Sequence, residues 1–122
     1  MSLASRLGRL FAKPYQTVNA AEAESLLAAG AILLNVREKH EWQAGHAPKA
    51  RHIPLGQLSA RHRELPADRT IITVCRTGMR SAQAARLLAA QRGQVVNLSG
   101  GMHAWARAGL PITAKSGTGH II

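Results

Sequence analysis

The chain has 122 residues, of which 46% are hydrophobic, and this length and composition predict one globular domain. The single cysteine excludes an intramolecular disulfide and favours a reducing compartment. A formal net charge of +10 predicts attraction to small oxyanions and to acidic proteins. With one Phe, one Tyr, two Trp and no long Lys/Arg run, a base-stacking surface for nucleic acid is not expected.

The first fourteen residues differ from the rest of the chain. They contain no acidic residue. The apolar residues fall at helical spacing, on the side opposite to three cations, Arg6, Arg9 and Lys13. At an anionic membrane surface each charge contributes only about 1 kcal/mol, which is too little for stable anchoring. No stretch approaches the roughly 20 apolar residues of a membrane span. We therefore expect residues 1–14 to be an accessory segment of a soluble, cytoplasmic protein.

From Tyr15 onward, apolar strands alternate with helical segments. This alternation predicts an α/β domain with a parallel sheet covered by helices on both faces, whose ligands bind at the carboxyl ends of the strands. The tail from Thr113 is expected to be irregular. Strands are predicted over 16–18, 31–36, 51–53, 70–74 and 94–98, and helices over 20–29, 37–44, 55–65, 81–91 and 102–107.

The most informative segment is TIITVCRTGMRS, in which Cys75 leaves a buried strand and a short loop leads into a helix. Backbone N–H groups of such a loop and helix start converge on one point and form an anion site. Gly78 permits the tight curvature, and Arg76 and Arg80 add positive charge. We expect the pKa of Cys75 to lie below the free value of about 8.5. A lone cysteine after a strand is more often a small buried hydrophobe, but two arginines and a glycine favour an oxyanion cradle.

Three separated segments resemble the rhodanese family. AILLNVREKHEWQAGHAPKARHIPL is similar to the family's first motif, TIITVCRTGMRSAQAARLL to its active-site loop and helix, and VVNLSGGMHAWARAGLPI to its closing signature. The resemblance covers Val18 to Ile112. It implies a single rhodanese-like domain over 15–112, a tail over 113–122, about five parallel strands, and a persulfide on Cys75. The implied substrate-binding residues are those of the loop, Arg76, Thr77, Gly78, Met79 and Arg80.

The activity implied by the resemblance is that of a thiosulfate sulfurtransferase. Sulfane sulfur would move from thiosulfate or a persulfide donor through Cys75 to a thiol or cyanide, with no cofactor and no metal. The partners are then a small-molecule sulfur donor and a thiol acceptor, and the basic surface adds an acidic protein as a candidate. Two alternatives stay open. One is a sulfur carrier or docking module without turnover. The other is a phosphatase or arsenate reductase, whose loop is Cys-x5-Arg where this chain has Cys-x4-Arg.

A few residues outside the loop bear on these expectations. The family usually has Asp where this chain has Asn35, and the missing charge predicts a more electropositive loop. His40, His46 and His52 are six residues apart, a spacing that places no pair on one helical face, so a zinc site is not expected. His46 is given a structural hydrogen-bonding role by the resemblance. A structural polar network is predicted for Arg37, Glu38 and Glu41, with a role in positioning Arg80 as a further option.

Overall fold

The computed structural model describes residues 13–122, so most of the predicted accessory segment lies outside the described residues. The main sheet contains five strands, β1 (Gln16–Val18), β2 (Ile32–Asn35), β3 (Arg51–His52), β4 (Ile71–Val74) and β5 (Val95–Leu98). The helices are α1 (Ala20–Ala28), α2 (Lys39–Ala44), α3 (Leu58–Arg61), α4 (Met79–Ala89) and α5 (Gly101–Arg107), with 3₁₀ turns on either side of α3.

All five strands run parallel, in the order β1-β5-β4-β2-β3. Every residue of β2, β4 and β5 is buried, as expected for strands with helices on both faces. The two edge strands, β1 and β3, are short, and this limits the unpaired edge that the sheet exposes. The predicted parallel α/β architecture is confirmed.

Side chains of the central strands alternate between two cores. On one face Leu34 and Ile71 belong to a cluster with Leu58 of α3 and Leu88 of α4. On the other face, residues including Leu33 belong to a cluster with residues of α1 and α5. Each fully buried aliphatic side chain contributes roughly 1.5–3 kcal/mol relative to exposure. The sheet is thereby packed on both faces, and these two cores hold the end of β4, which Cys75 follows, in place.

Local signals in the sequence explain how α1 begins. The side chain of Asn19 accepts a hydrogen bond from the backbone N of Glu22 at 2.8 Å, and Glu22 Oε1 accepts one from the backbone N of Asn19 at 3.0 Å. This capping box confirms the predicted start of the helix. Gly30 follows the helix with a φ of 107°, the left-handed conformation that glycine adopts at low cost.

The C-terminal tail is more ordered than its composition predicts. Strands β6 (Thr113–Ala114) and β7 (Gly117–Thr118) form an antiparallel hairpin, so the expectation of an irregular tail is wrong in this part. The backbone N of His120 donates to the carbonyl of Ala44 at the end of α2. Thr113 of the hairpin exchanges backbone hydrogen bonds with His46, just after α2, at 2.8 and 2.9 Å. Such long-range pairing leaves no local signal in the sequence. Within residues 13–122, no helix is long and apolar enough to cross a membrane.

Candidate active site

Cys75 follows β4 directly, at the carboxyl edge of the sheet. Its side chain is buried, with 1% of the residue exposed. Sγ accepts hydrogen bonds from the backbone N of Gly78 at 3.1 Å and from the hydroxyl of Ser81 at 3.3 Å. Gly78 has a φ of 119°, a conformation that L side chains rarely adopt, and it turns the loop back over the sulfur. The loop forms the cradle that the sequence predicts.

Opposing effects set the ionisation of Cys75. Burial raises the pKa of the thiol, because a thiolate is poorly solvated inside the protein. Hydrogen bonds from the Ser81 hydroxyl and from the backbone amides of Ser81, Gly78 and Thr77 outweigh burial, and the pKa lies below its ordinary value. The site therefore favours a thiolate without a neighbouring general base.

The loop is fixed from behind by the start of α5. The backbone N of Met102 donates to the carbonyl of Cys75 at 2.8 Å, and that of His103 to the carbonyl of Arg76 at 3.2 Å. Gly101 makes this close approach possible, since a Cβ on it would collide with both carbonyl oxygens, and its φ is 59°. Gly101 of the closing motif thus allows α5 to support the loop that follows Cys75.

Three buried polar residues around the loop were not predicted as site residues. Ser81 is fully buried, and its hydroxyl reaches Sγ of Cys75. Thr73 Oγ1 donates to the carbonyl of Ser81 at 2.9 Å, and Asn97 Nδ2 donates to the carbonyl of Gly78 at 3.3 Å. The available signal was a polar residue inside each apolar strand, TIITV and VVNL, together with a serine in the first turn of the next helix. Buried polar groups of this kind need partners, and here the loop supplies them.

Arg80 is bound by a carboxylate that lies 39 residues earlier in the chain. Its Nη1 and Nη2 lie 2.6 and 2.9 Å from Oε1 and Oε2 of Glu41 in α2. The hydrogen bond from Arg80 lowers the pKa of Glu41 to about 2, although burial acts in the opposite direction. This bidentate pair ties α4 to α2 at the mouth of the site. Glu41 thus positions Arg80, as the sequence had suggested for the polar network.

Arg76, Thr77 and Met79 form the exposed rim of the site. Nε of Arg76 donates to Nε2 of His103 at 3.2 Å. Met79 is 81% exposed, which is unusual for a large apolar side chain. The predicted loop residues thus lie together in space, but their side chains differ in exposure and in their partners. Arg76, Thr77 and Met79 face solvent, whereas Arg80 is engaged with Glu41.

The remaining histidine prediction concerns a metal. His46 Nδ1 lies 2.7 Å from the carbonyl oxygen of Trp42, a structural contact, and the two rings stack with centroids 3.6 Å apart. His52 stacks on Trp42 as well, at 4.8 Å. Over the part of the chain that the structure describes, no three His, Cys, Asp or Glu residues are grouped as metal ligands. These rings pack against each other, and the spacing argument alone did not foresee that.

Fold and site together define a parallel α/β domain that holds a buried cysteine sulfur in a cradle of hydrogen-bond donors from the loop and the next helix. Among known families, the rhodanese-like domain matches residues 19–108. The chain therefore belongs to the rhodanese-like domain family, and relatives named as sulfurtransferases support sulfurtransferase activity in general.

Individual relatives agree with this assignment. The chain is 42% identical over 87 residues to a protein named sulfurtransferase from Allochromatium vinosum, covering 70% of this chain and 81% of that protein. It is 39% identical over 74 residues to the putative sulfur carrier protein YrkF of Bacillus subtilis, covering 60% of this chain and 40% of the relative. A crystal structure of a rhodanese-related protein from Thermoplasma volcanium superposes with a TM-score of 0.77 at 29% identity, covering 83% of this chain and all of the other.

Proposed function

We propose that the protein is a thiosulfate-type sulfurtransferase that carries sulfane sulfur as a persulfide on Cys75. The observation that carries this proposal is the cradle, in which buried Sγ accepts hydrogen bonds from Gly78 and Ser81. These donors lower the pKa of the thiol, so a larger fraction of Cys75 is present as the nucleophilic thiolate than for an ordinary cysteine.

The proposed reaction has two steps. The thiolate of Cys75 attacks the outer sulfur of thiosulfate, a new S–S bond forms, and the old S–S bond breaks with its electron pair leaving on sulfite. The product is a Cys75 persulfide anion. The thiolate of an acceptor, or cyanide, then attacks the outer sulfur and releases the Cys75 thiolate. Charge and atoms balance in both steps, and no redox cofactor is consumed. Two-step covalent transfer of this kind gives ping-pong kinetics.

The backbone amides that donate hydrogen bonds to the thiolate can also donate to the persulfide anion and to the departing sulfite. Backbone N–H groups aimed at one point stabilise developing negative charge without reorganising. Arg76 stands exposed at the rim, where its guanidinium meets the sulfonate end of the donor. Charge-assisted hydrogen bonds of this kind contribute roughly 1.5–3 kcal/mol. Arg80 is held by Glu41 in a bidentate pair, an arrangement that disfavours use of its guanidinium as a phosphate ligand.

A sulfur carrier without turnover of its own is the second candidate. One observation favours it: Cys75 is 1% exposed, while the rim presents Arg76 and the exposed side chain of Met79. An acidic protein with an apolar contact residue would complement this rim, and its thiol or persulfide would reach Cys75 through the loop. The relative named a putative sulfur carrier is compatible with this role.

A steady-state assay of the full chain with thiosulfate and cyanide separates the candidates. We expect thiocyanate to form with ping-pong kinetics, and mass spectrometry after thiosulfate treatment alone to show one added sulfur on Cys75. The Cys75→Ser variant should lose both signals. Persulfide loading without turnover would support the carrier. Full transfer by Cys75→Ser, or hydrolysis of a phosphate ester without sulfur loading, would refute the proposed function.

A further inference from the structure

Arg37 carries a guanidinium that is fully buried, with 0% of the residue exposed. All its hydrogen-bond acceptors are neutral. Nε donates to Oδ1 of Asn35 at 3.1 Å, the backbone N of Arg37 donates to the same atom at 3.0 Å, and Nη2 donates to the carbonyl of Gly45. Within residues 13–122, neither Nη1 of Arg37 nor Nδ2 of Asn35 has a hydrogen-bond partner. Burying a cation whose hydrogen-bond partners are all neutral costs free energy. A nearby anion would offset this cost.

The nearby carboxylate is already occupied. Both oxygens of Glu41 bind Arg80, at 2.6 and 2.9 Å, and Oε1 also accepts the backbone N of Glu38 at 2.9 Å. The buried and half-buried part of the network, among the described residues, therefore contains two guanidiniums and one carboxylate, while the second carboxylate, Glu38, is exposed to solvent and acts on Arg80. Burial lowers the pKa of Arg37, and the charges of Glu41 and of the Cys75 thiolate oppose that effect. Since arginine stays protonated in proteins, one positive charge is left over.

Strand register places the backbones of Arg37 and Cys75 at the same edge of the sheet, and the charge on Cys75 acts on Arg37. Asn35 of β2 is the Cα partner of Val74 of β4, and the backbone N of Val36 donates to the carbonyl of Val74 at 3.0 Å. Arg37 and Cys75 therefore leave the sheet from neighbouring strands at the same edge. Between buried groups the effective dielectric constant is low, so charges act on each other more strongly than in water.

Other charged or titratable groups of the surroundings do not cancel Arg37. His52 of β3 donates from Nε2 to the carbonyl of Arg37 at 2.7 Å. Burial lowers the pKa of His52, and the charge of Arg37 lowers it as well, so the charged form of this imidazole is disfavoured. Arg80 is paired with Glu41, and Arg76 at the rim contacts His103. The carboxylate of Glu38 is exposed and acts on Arg80. Among the buried groups named here, only the sulfur on Cys75 provides an anion that is not already paired.

We propose that Asn35 is a positioning residue that orients Arg37 without neutralising it, so that the buried charge stabilises anionic sulfur on Cys75 and favours anionic donors. The amide accepts hydrogen bonds as a carboxylate would, yet it contributes no charge. This inference rests on the proposed sulfur transfer for its substrate preference, but its effect on the thiolate does not depend on turnover.

The test is Asn35→Asp, which adds one negative charge with almost no change of shape. Iodoacetamide alkylation of Cys75, the one cysteine of the chain, is followed from low to high pH by mass spectrometry. We expect the midpoint of the profile to move to higher pH, and the rate below the midpoint to fall at least about threefold, because a nearby like charge disfavours the thiolate. The KM for thiosulfate, a dianion, should rise more than that for an alkanethiosulfonate, a monoanion that gives its outer sulfur in the same way and releases a sulfinate.

Gln91→Glu is the matched control, since it adds the same charge on an exposed residue after α4, at the opposite edge of the sheet. It should leave the alkylation profile in place. Glu41→Gln removes the buried carboxylate and should shift the midpoint to lower pH, so opposite signs are expected for the two network variants. This second variant decides the question if Asn35→Asp does not fold.

An alkylation midpoint unchanged in folded Asn35→Asp, or shifted upward in Glu41→Gln, would overturn the inference. A shifted midpoint together with a wild-type protein that neither loads nor transfers sulfur would support the inference on the thiolate and refute the proposed function. The two failures are therefore distinguishable.

Discussion

The hydroxyl of Ser81 lies 3.3 Å from Sγ of Cys75, and both side chains are buried. The same hydroxyl lies 3.2 Å from the carbonyl of Gly78. A hydroxyl has one proton to donate. Donation to sulfur is favoured when Cys75 carries a charge, and donation to the carbonyl when it does not. Ser81 therefore responds to the charge state of the sulfur.

Replacing this serine tests its contribution. In Ser81→Ala, the pKa of Cys75 should rise because the thiolate loses a hydrogen bond. We expect the alkylation rate near neutral pH to fall by about tenfold, the lower end of what a hydrogen bond to a charged group provides. Ser25→Ala, an exposed serine of α1, is the control. An unchanged rate in Ser81→Ala would assign the lowered pKa to the backbone amides alone.

Arg76 is expected to bind the donor. In Arg76→Ala the KM for thiosulfate should increase at least about tenfold, which corresponds to 1.4 kcal/mol. His103→Ala should raise KM less, since the imidazole only orients the guanidinium, with a 3.2 Å contact to Nε. The double variant should resemble Arg76→Ala, because two residues that act through one contact are not additive.

The exposed Arg63 provides the matched control for this series, since Arg63→Ala removes the same charge away from the rim. Its KM should equal that of the wild type. Equal increases in both arginine variants would indicate a general effect of net charge, and the specific role of Arg76 would then be abandoned.

Acid should weaken the link between α2 and α4. The pKa of Glu41 is about 2, below its ordinary value of 4.5, chiefly because Arg80 binds the carboxylate. A depressed pKa in the folded state stabilises the protein above the ordinary value, and this stabilisation is lost as the pH falls through the folded value. The unfolding free energy of the wild type should therefore decline between about pH 4.5 and pH 2.

Glu41→Gln should lack this part of the decline and be less stable at pH 7. Urea unfolding at several pH values measures both effects. Glu24→Gln, at an exposed position of α1, should keep the profile of the wild type. Parallel profiles for the wild type and Glu41→Gln would show that the ion pair does not contribute to stability.

Gly101 should tolerate no side chain. A Cβ there collides with the carbonyl oxygens of Cys75 and Arg76, and the φ of 59° is unfavourable for alanine. We expect Gly101→Ala to lower the unfolding free energy by more than about 2 kcal/mol and to disturb the loop. Gly93→Ala is the control, since a Cβ at this position meets nothing within 4 Å. Equal stability of the two variants, measured by thermal unfolding, would contradict the close approach of α5 to the loop.

The sequence by itself determined the class of fold and the place of Cys75 within it. The apolar segments AILLNV and TIITV predict strands buried on both faces, and such strands form parallel sheets whose ligand sites lie at their carboxyl ends. The position of Cys75 and the turn at Gly78 follow from the next few residues. These features were predictable because they depend on periodicity and backbone conformation, which are local properties of the chain.

Only the tertiary structure decided which charges meet. Glu41 and Arg80 are 39 residues apart, and Arg76 and His103 are 27 apart. No local pattern pairs them, since each partnership depends on the order of the strands and on the packing of helices at one edge. Burial is decided in the same way. Arginine is a residue type usually found at the protein surface, yet Arg37 is fully buried. That its guanidinium has no carboxylate as a hydrogen-bond partner is visible only in the structure, in which β2 lies beside β4.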